Sequence, residues 1–426
     1  RLYLTNFKNM VTKERKEQLK TENTRKSRRQ DNKQHCQKIL EGIGKFDNTT
    51  AERAIWELLQ NARDLSNHAH VEITLDKDRF IFSHNGKPFD YDTLTSLIKQ
   101  VSSEEKEDPN AAGQFGTGFM TTHKFSRKIR INGCMKIDED EYVEINDFSL
   151  DRTDNEIPKM IDKMADQLGY VDNLYDKPTT QTPRAETSFI YELDDAHFPA
   201  AEQGVTAAFD LMPYVMAFNE RIEKVTISDN KNNRHDIFTK KSSKTLDPDV
   251  NLHVLTIETS DGNDRNLFYL QSKDRKDMII LPLKSKNEAM DITGVPRLFI
   301  FFPLLGTHNF GFNYIFHSER FFPEEPRNAI VLPEDNIDKQ TKYESDVKVL
   351  KDMFQMLFAY LDKYGKEIKN AKLVAPITID LSRFEKAHQL TKDFYVSLKY
   401  QLVNKFLTLP FLNVDGEPAS VSQSDK

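Results

Sequence analysis

Residues 113–119, Gly113-Gln-Phe-Gly-Thr-Gly-Phe119, decide how this chain is read. Glycines let backbone N–H groups reach an anion because no Cβ intervenes, so such a run is a candidate phosphate cradle. A P-loop needs Lys and then Ser/Thr after its last glycine, but Gly118 is followed by Phe119 and Met120. A Rossmann fingerprint begun at Gly116 needs a glycine where Thr121 stands. Both loops are excluded, and the pattern Gly113-x-x-Gly116-x-Gly118 remains.

Working outward, the upstream sequence predicts the elements that would surround such a loop. Asn48-Thr-Thr50 supplies an N-cap for a helix over 51–65, where Ala54, Ile55, Leu58, Leu59 and Ala62 recur at helical spacing. Glu57 and Asn61 lie one turn apart on it and share a face. A carboxylate there suits proton abstraction, and a neutral amide oxygen suits a hard cation. Residues 71–75 and 80–83 alternate as two strands around a turn at 76–79, ending in His84-Asn85-Gly86, which by itself also reads as an ordinary Asn-Gly turn. Residues 91–101 return to helical periodicity. Residues 102–112, polar and without a period, are expected to form a mobile lid. Strands follow at 128–133, 141–148, 188–193 and 224–228.

The order Glu57-x-x-x-Asn61, then His84-Asn-Gly86, then Gly113-x-x-Gly116-x-Gly118 resembles the GHKL (Bergerat-fold) ATPases, and the wording of the loop is most similar to their chaperone and sacsin-like branch. The resemblance covers about 48–240 and, more loosely, 240–335. It implies an ATP-hydrolysing, chaperone-like module. In that pattern Glu57 polarises the attacking water and Asn61 ligates Mg²⁺. Asp64 matches the second acidic position of the helix, where a capping or surface role is the other reading. His84 stands where the family has an Asp that accepts from the adenine amino group. A neutral imidazole still has one lone pair for such a donor, Gly86 keeps the turn, and Pro88 replaces the family's last glycine. Thr187 matches the threonine of the base-binding water network.

The resemblance further implies that Gln114 and Phe115 lead into the loop, with Gly113, Gly116, Thr117 and Gly118 around the triphosphate and Phe119 opening a helix whose dipole favours the anion. A cation from outside the nucleotide domain completes the site in relatives, and Arg320 and Arg327 are the candidates, a surface salt bridge being the alternative for each. Closure into a nucleotide-dependent homodimer and attachment to an effector domain, in some relatives within bacterial phage defence, belong to the same implication. A nucleotide-binding switch with negligible hydrolysis is the competing reading.

Composition sets bounds. A chain of 426 residues with 38% hydrophobic content and 29 Phe is long enough for two or three cored domains. A net charge of −7 with 30% charged residues argues for a soluble protein without global affinity for nucleic acid. No apolar run reaches the roughly 20 residues of a membrane helix. Residues 298–305 read instead as a buried strand. Cys36 and Cys134, far apart, read as reduced thiols of a cytoplasmic protein. The start at Arg1 and the polar end suggest a piece of something longer. Within residues 8–34, the cluster Arg25-Lys-Ser-Arg-Arg29 reads as a charged helix face or a contact for phosphates or an acidic partner. The expected architecture is α+β: a basic helical arm (1–47), a two-layer α/β ATP-binding sandwich (48–240), a second α/β domain (241–335) and a helical segment (336–426). In the last, Val347, Leu350, Met353, Phe354, Leu357 and Leu361 form one face, followed by a second helix over 382–408.

Overall fold

The computed structural model describes residues 13–46, 51–100, 117–308, 310–324, 327–368, 389–410, 412–414 and 417–420. The chain is a mixed α/β protein that divides into two compact units: residues 1–66 with 73–204, and residues 67–72 with 205–426. The division falls upstream of the change near 240 that the sequence suggests.

The first unit opens with α1 (Lys13–Phe46), one continuous helix within the span expected for the basic helical arm. Its residues 20–31 are exposed, whereas Asn32, Cys36 and Ile39 are buried. Next comes α2 (Glu52–Asp64), whose N-cap is Ala51 without a side-chain hydrogen bond; the expected cap at 48–50 lies outside the described residues. The stripe read from the sequence is fully used, with Ala54, Ile55, Leu58, Leu59 and Ala62 at most 1% exposed. Burying an Ile or Leu side chain of this kind contributes about 1.5–3 kcal/mol.

β1 (Ala69–Leu75) and β2 (Arg79–His84) follow as neighbours, then α3 (Tyr91–Lys99), sealed by a capping box between Asp90 and Thr93. A 3₁₀ helix spans Thr117–Lys124. The unit is completed by β3 (Lys128–Asp138), β4 (Glu141–Asp151), α4 (Ile157–Asp172), β5 (Thr187–Glu192) and the start of α5 (Phe198–Phe218). The strands that lie wholly in this unit run in the order β2-β5-β3-β4, residues 69–72 of β1 being counted with the second unit. β5 pairs antiparallel with both β2 and β3, which sets His84 directly opposite Thr187. α3 lies against α4 and β3, and α2 and α1 lie against the 3₁₀ helix.

The second unit takes up the chain within α5 and continues through β6 (Ile222–Asp229), β7 (Arg234–Lys240), β8 (Lys244–Asp247), β9 (Leu252–Thr259), β10 (Arg265–Gln271) and β11 (Asp277–Ile280). Then come β12 (Leu283–Ser285), β13 (Glu288–Ala289), β14 (Leu298–Ile300), β15 (Phe302–Pro303), β16 (Ile315–Ser318), β17 (Pro323–Glu324) and β18 (Ala329–Ile330). Its sheet runs β15-β14-β16-β11-β10-β9-β7-β6, with β14 parallel to β16. The strand expected over 298–305 is broken at Phe301, whose φ of 62° turns the backbone. The helices α6 (Ile337–Tyr364) and α7 (Gln389–Leu407) follow. The buried stripe of α6 is Asp346, Val349, Leu350, Met353, Phe354, Leu357, Tyr360 and Leu361, so Asp346 occupies the inner position expected for Val347. Phe354 packs edge-on against Phe312 and Phe316. Among the described residues no helix is long and apolar enough to cross a membrane, and both cysteines are free and buried.

Candidate functional site

The candidate residues of the first unit meet where α2 abuts the 3₁₀ helix. Glu57 and Asn61 face this junction because the apolar side of α2 is committed to the core. Glu57 is 12% exposed, and Arg53, one turn before it, lies 3.4 Å from its Oε1. Gly118 presses its backbone directly on the carboxylate: a Cβ built on Gly118 would lie 2.6 Å from Glu57 Cδ. The glycine is thus required by close approach, and it ties the end of the glycine-rich loop to the helix carboxylate about 60 residues earlier in the chain. Asn61 is 6% exposed, and its buried Nδ2 has no hydrogen-bond partner among the described residues. A buried donor left unpaired costs about 1–3 kcal/mol, so Nδ2 is a place where an acceptor such as a phosphate or water oxygen fits. Asp64 closes the helix, with Arg63 Nη1 donating to its Oδ1 at 3.1 Å.

Gly113, Gln114, Phe115 and Gly116, and the expected lid at 102–112, lie outside the described residues, as does the side chain of Thr117. Phe119 is buried in the 3₁₀ helix and packs against Phe189, which in turn stacks beside His84. The expected helix after the loop is therefore of the tighter 3₁₀ kind. Its turns are held by Thr121 and Thr122, whose hydroxyls donate to the carbonyls of Gly118 and Phe119, both at 2.8 Å.

A second cluster sits at the end of β2. His84, Thr187, Lys87, Phe89, Asp90 and Thr93 border one cavity. His84 is buried, and burial pulls its pKa down to about 4, so the ring is neutral at ordinary pH. Gly86 N donates to its Nδ1 at 3.0 Å. The lone pair that the sequence offers to an amino group is therefore already taken by the backbone, because the Asn-Gly turn folds back on the ring. Asn85 is half-buried in that turn.

Sequence reasoning gave no sign of Arg152. This residue is fully buried, and among the described residues no carboxylate pairs with it. Nη2 donates to Leu97 O and Ile98 O, each at 2.9 Å, at the C-terminal end of α3. Nη1 reaches His123 Nε2 at 3.3 Å and Met120 Sδ at 3.6 Å on the 3₁₀ helix. The negative end of the α3 dipole serves as the counter-charge. Burial lowers the guanidinium to about 9 and His123 to about 3, so the arginine is charged and the histidine neutral.

Arg320 and Arg327 belong to the second unit. Arg320 is gripped by both oxygens of the buried Asp277, with Asp352 at 3.6 Å, the ion-pair alternative of the sequence reading. Arg327 has a φ of 64° in the turn between β17 and β18. In the basic cluster, Arg29 pairs with Asp162 of α4 at 2.9 Å. Among the described residues no group of three or more His, Cys, Asp or Glu is placed to hold a metal ion.

No protein-family model matches the chain, and no curated protein matches it. Among solved structures, the crystal structure of the N-terminal domain of a DNA repair protein is similar over 76% of this chain and 99% of its own, at 11% identity and a TM-score of 0.36. A likeness this distant carries no function across.

Proposed function

We propose that the first unit is a Bergerat-type nucleotide domain that binds a nucleoside triphosphate with Mg²⁺ and hydrolyses it, ATP being the nucleotide that the sequence resemblance implies. The observation that carries this reading is the contact of Gly118 with the Glu57 carboxylate, one helical turn from the buried Asn61, whose Nδ2 donor has no partner among the described residues. Two separate motifs of the sequence thus contribute one base, one neutral amide and one glycine backbone to a single junction. Asn61 is the residue that would hold Mg²⁺, which needs few protein ligands when phosphate oxygens supply the rest; bound there, the ion would neutralise phosphate charge. Glu57 then takes the proton from the attacking water, with Arg53 Nε 3.4 Å from its Oε1. Lid closure, dimerisation and coupling to a client or effector in a larger protein extend the same proposal.

A switch that hydrolyses very slowly is the second reading. One observation favours it: Arg320, a candidate for the γ-phosphate, is already held by Asp277 and Asp352. Phosphate release from ATP and GTP by the intact chain, beside Glu57→Gln, separates the two. On the hydrolase reading the substitution slows turnover by about 10²–10⁴-fold while leaving nucleotide affinity nearly unchanged. Equal rates in parent and variant would remove Glu57 as the base.

A further inference from the structure

The cavity at the end of β2 has a definite hydrogen-bonding polarity. Gly86 N–H points at His84 Nδ1 from 3.0 Å, which makes Nδ1 the acceptor nitrogen of the ring. A neutral imidazole carries one N–H, so the proton is on Nε2. The turn that imposes this is built tightly. A Cβ at position 86 would lie 2.7 Å from both His84 Nδ1 and Leu65 Cβ, so only glycine brings its own N–H this close. Lys87 N donates to Leu65 O at 3.0 Å and pins the same turn to the end of α2. Phe82 and Phe189 flank the ring and offer it no acceptor. No other hydrogen bond of the ring is made to a described residue, and the ring borders the open cavity.

The remaining polar groups around the cavity do not reverse this polarity. Asp90 Oδ1 accepts from Thr93 N at 2.7 Å and from Thr93 Oγ1 at 2.8 Å, so that oxygen is engaged in capping α3, and Asp90 itself is exposed at the rim, not buried beside the ring. Thr187, opposite His84 across the β2–β5 pair, has a hydroxyl that donates or accepts equally well. Lys87 adds only donors.

Resting on the nucleotide reading above, we propose that His84 presents Nε2–H to the base, so the cavity selects a ring with a carbonyl oxygen on that edge, a 6-oxopurine such as guanine or hypoxanthine, over a 6-aminopurine. A carboxylate in this position would accept from an amino group. An imidazole locked as a donor sets N–H against N–H when it meets adenine, and sites discriminate strongly when a buried polar group is left without its partner.

The test is calorimetry of the intact chain with ATP, GTP and ITP in the presence of Mg²⁺, with His84→Asp in parallel. GTP and ITP, which share the 6-oxygen, are expected to bind about 10- to 100-fold tighter than ATP. His84→Asp, which turns the donor into an acceptor, is expected to reverse that order. The ranking in the parent protein stands by itself should the variant fail to fold. ATP binding as tightly as GTP and ITP overturns the inference and leaves the nucleotide site in place. Failure of all three nucleotides and of inorganic tripolyphosphate to bind removes the site, and the inference with it.

Discussion

At the scale of single residues, two positions convert geometry into measurable behaviour. Gly118 is the closer constraint, since a methyl there would collide with the Glu57 carboxylate. Gly118→Ala is expected to leave the far-ultraviolet circular dichroism unchanged and to slow phosphate release by about 10²-fold, the usual loss when a reacting group is displaced by about an ångström. A variant with parental rates would show that the contact has no part in hydrolysis. His84 is the second position. A surface histidine in the base site would make affinity fall as the pH drops through about 6.5, but burial moves the titration of this one down to about 4. Nucleotide affinity is therefore expected to be flat between about pH 5.5 and 8 while His84 still contacts the base. An inflection near the ordinary histidine value would mean that the ring is solvated when nucleotide binds. The identity of His84 was legible in the sequence; its tautomer was not, because it depends on where the Gly86 N–H points after the turn has formed.

At the scale of elements, what could be read ahead of the structure follows from how local the cause is. α2 was legible because its apolar spacing and its burial are the same fact. The period-2 strands 71–75 and 80–83 were legible for the same reason. α5 was not, because Ala, Val, Leu and Met surround it, leaving no 3.6-residue stripe, and Pro213 lies inside it. α4 carries a usable stripe in Met160, Ile161, Met164 and Val171, with Gln167 buried among them. Arg152 shows the limit: an arginine after a strand reads as solvent-facing, and only tertiary folding places it between α3 and the 3₁₀ helix. Because one guanidinium bonds both elements, it sets the 3₁₀ helix, and with it Gly118, relative to the rest of the unit. Arg152→Met is expected to destabilise the unit by about 2–4 kcal/mol in urea unfolding, since buried carbonyls lose a charged donor. Arg152→Lys should recover only part of this, because an ammonium cannot span both elements as the planar fork does. Full recovery by lysine would mean that charge alone, not the fork, is needed.

At the scale of the whole molecule, the two units are built around buried titratable groups of opposite sense. His84 and His123 in the first unit have pKa values lowered by burial to about 4 and about 3. Between those values and the ordinary 6.5 the unfolded chain binds more protons than the folded one, so stability present above about 6.5 is lost as the pH falls. In the second unit the carboxylate of Asp346 accepts from Phe322 N at 2.9 Å and Val331 N at 3.1 Å, yet burial pushes it up to about 7. There the folded state binds more protons between 3.8 and about 7, so that contribution is fully present below 3.8 and lost as the pH rises. Going from about pH 7 to 5, each histidine should cost the first unit about 2 kcal/mol, and Asp346 should add about 2 kcal/mol to the second. The chain contains a single tryptophan, Trp56, buried in α2 of the first unit, so its fluorescence reports that unit alone. Urea unfolding followed by Trp56 fluorescence should shift to lower midpoint on acidification, while the circular dichroism, to which both units contribute, should broaden or split. Asp346→Asn should abolish the opposing shift, because an amide does not titrate, and leave the fluorescence midpoint on its own acid slope. Two probes that move together at every pH, in parent and variant alike, would show that the units unfold as one cooperative body and that the opposing groups cancel within it.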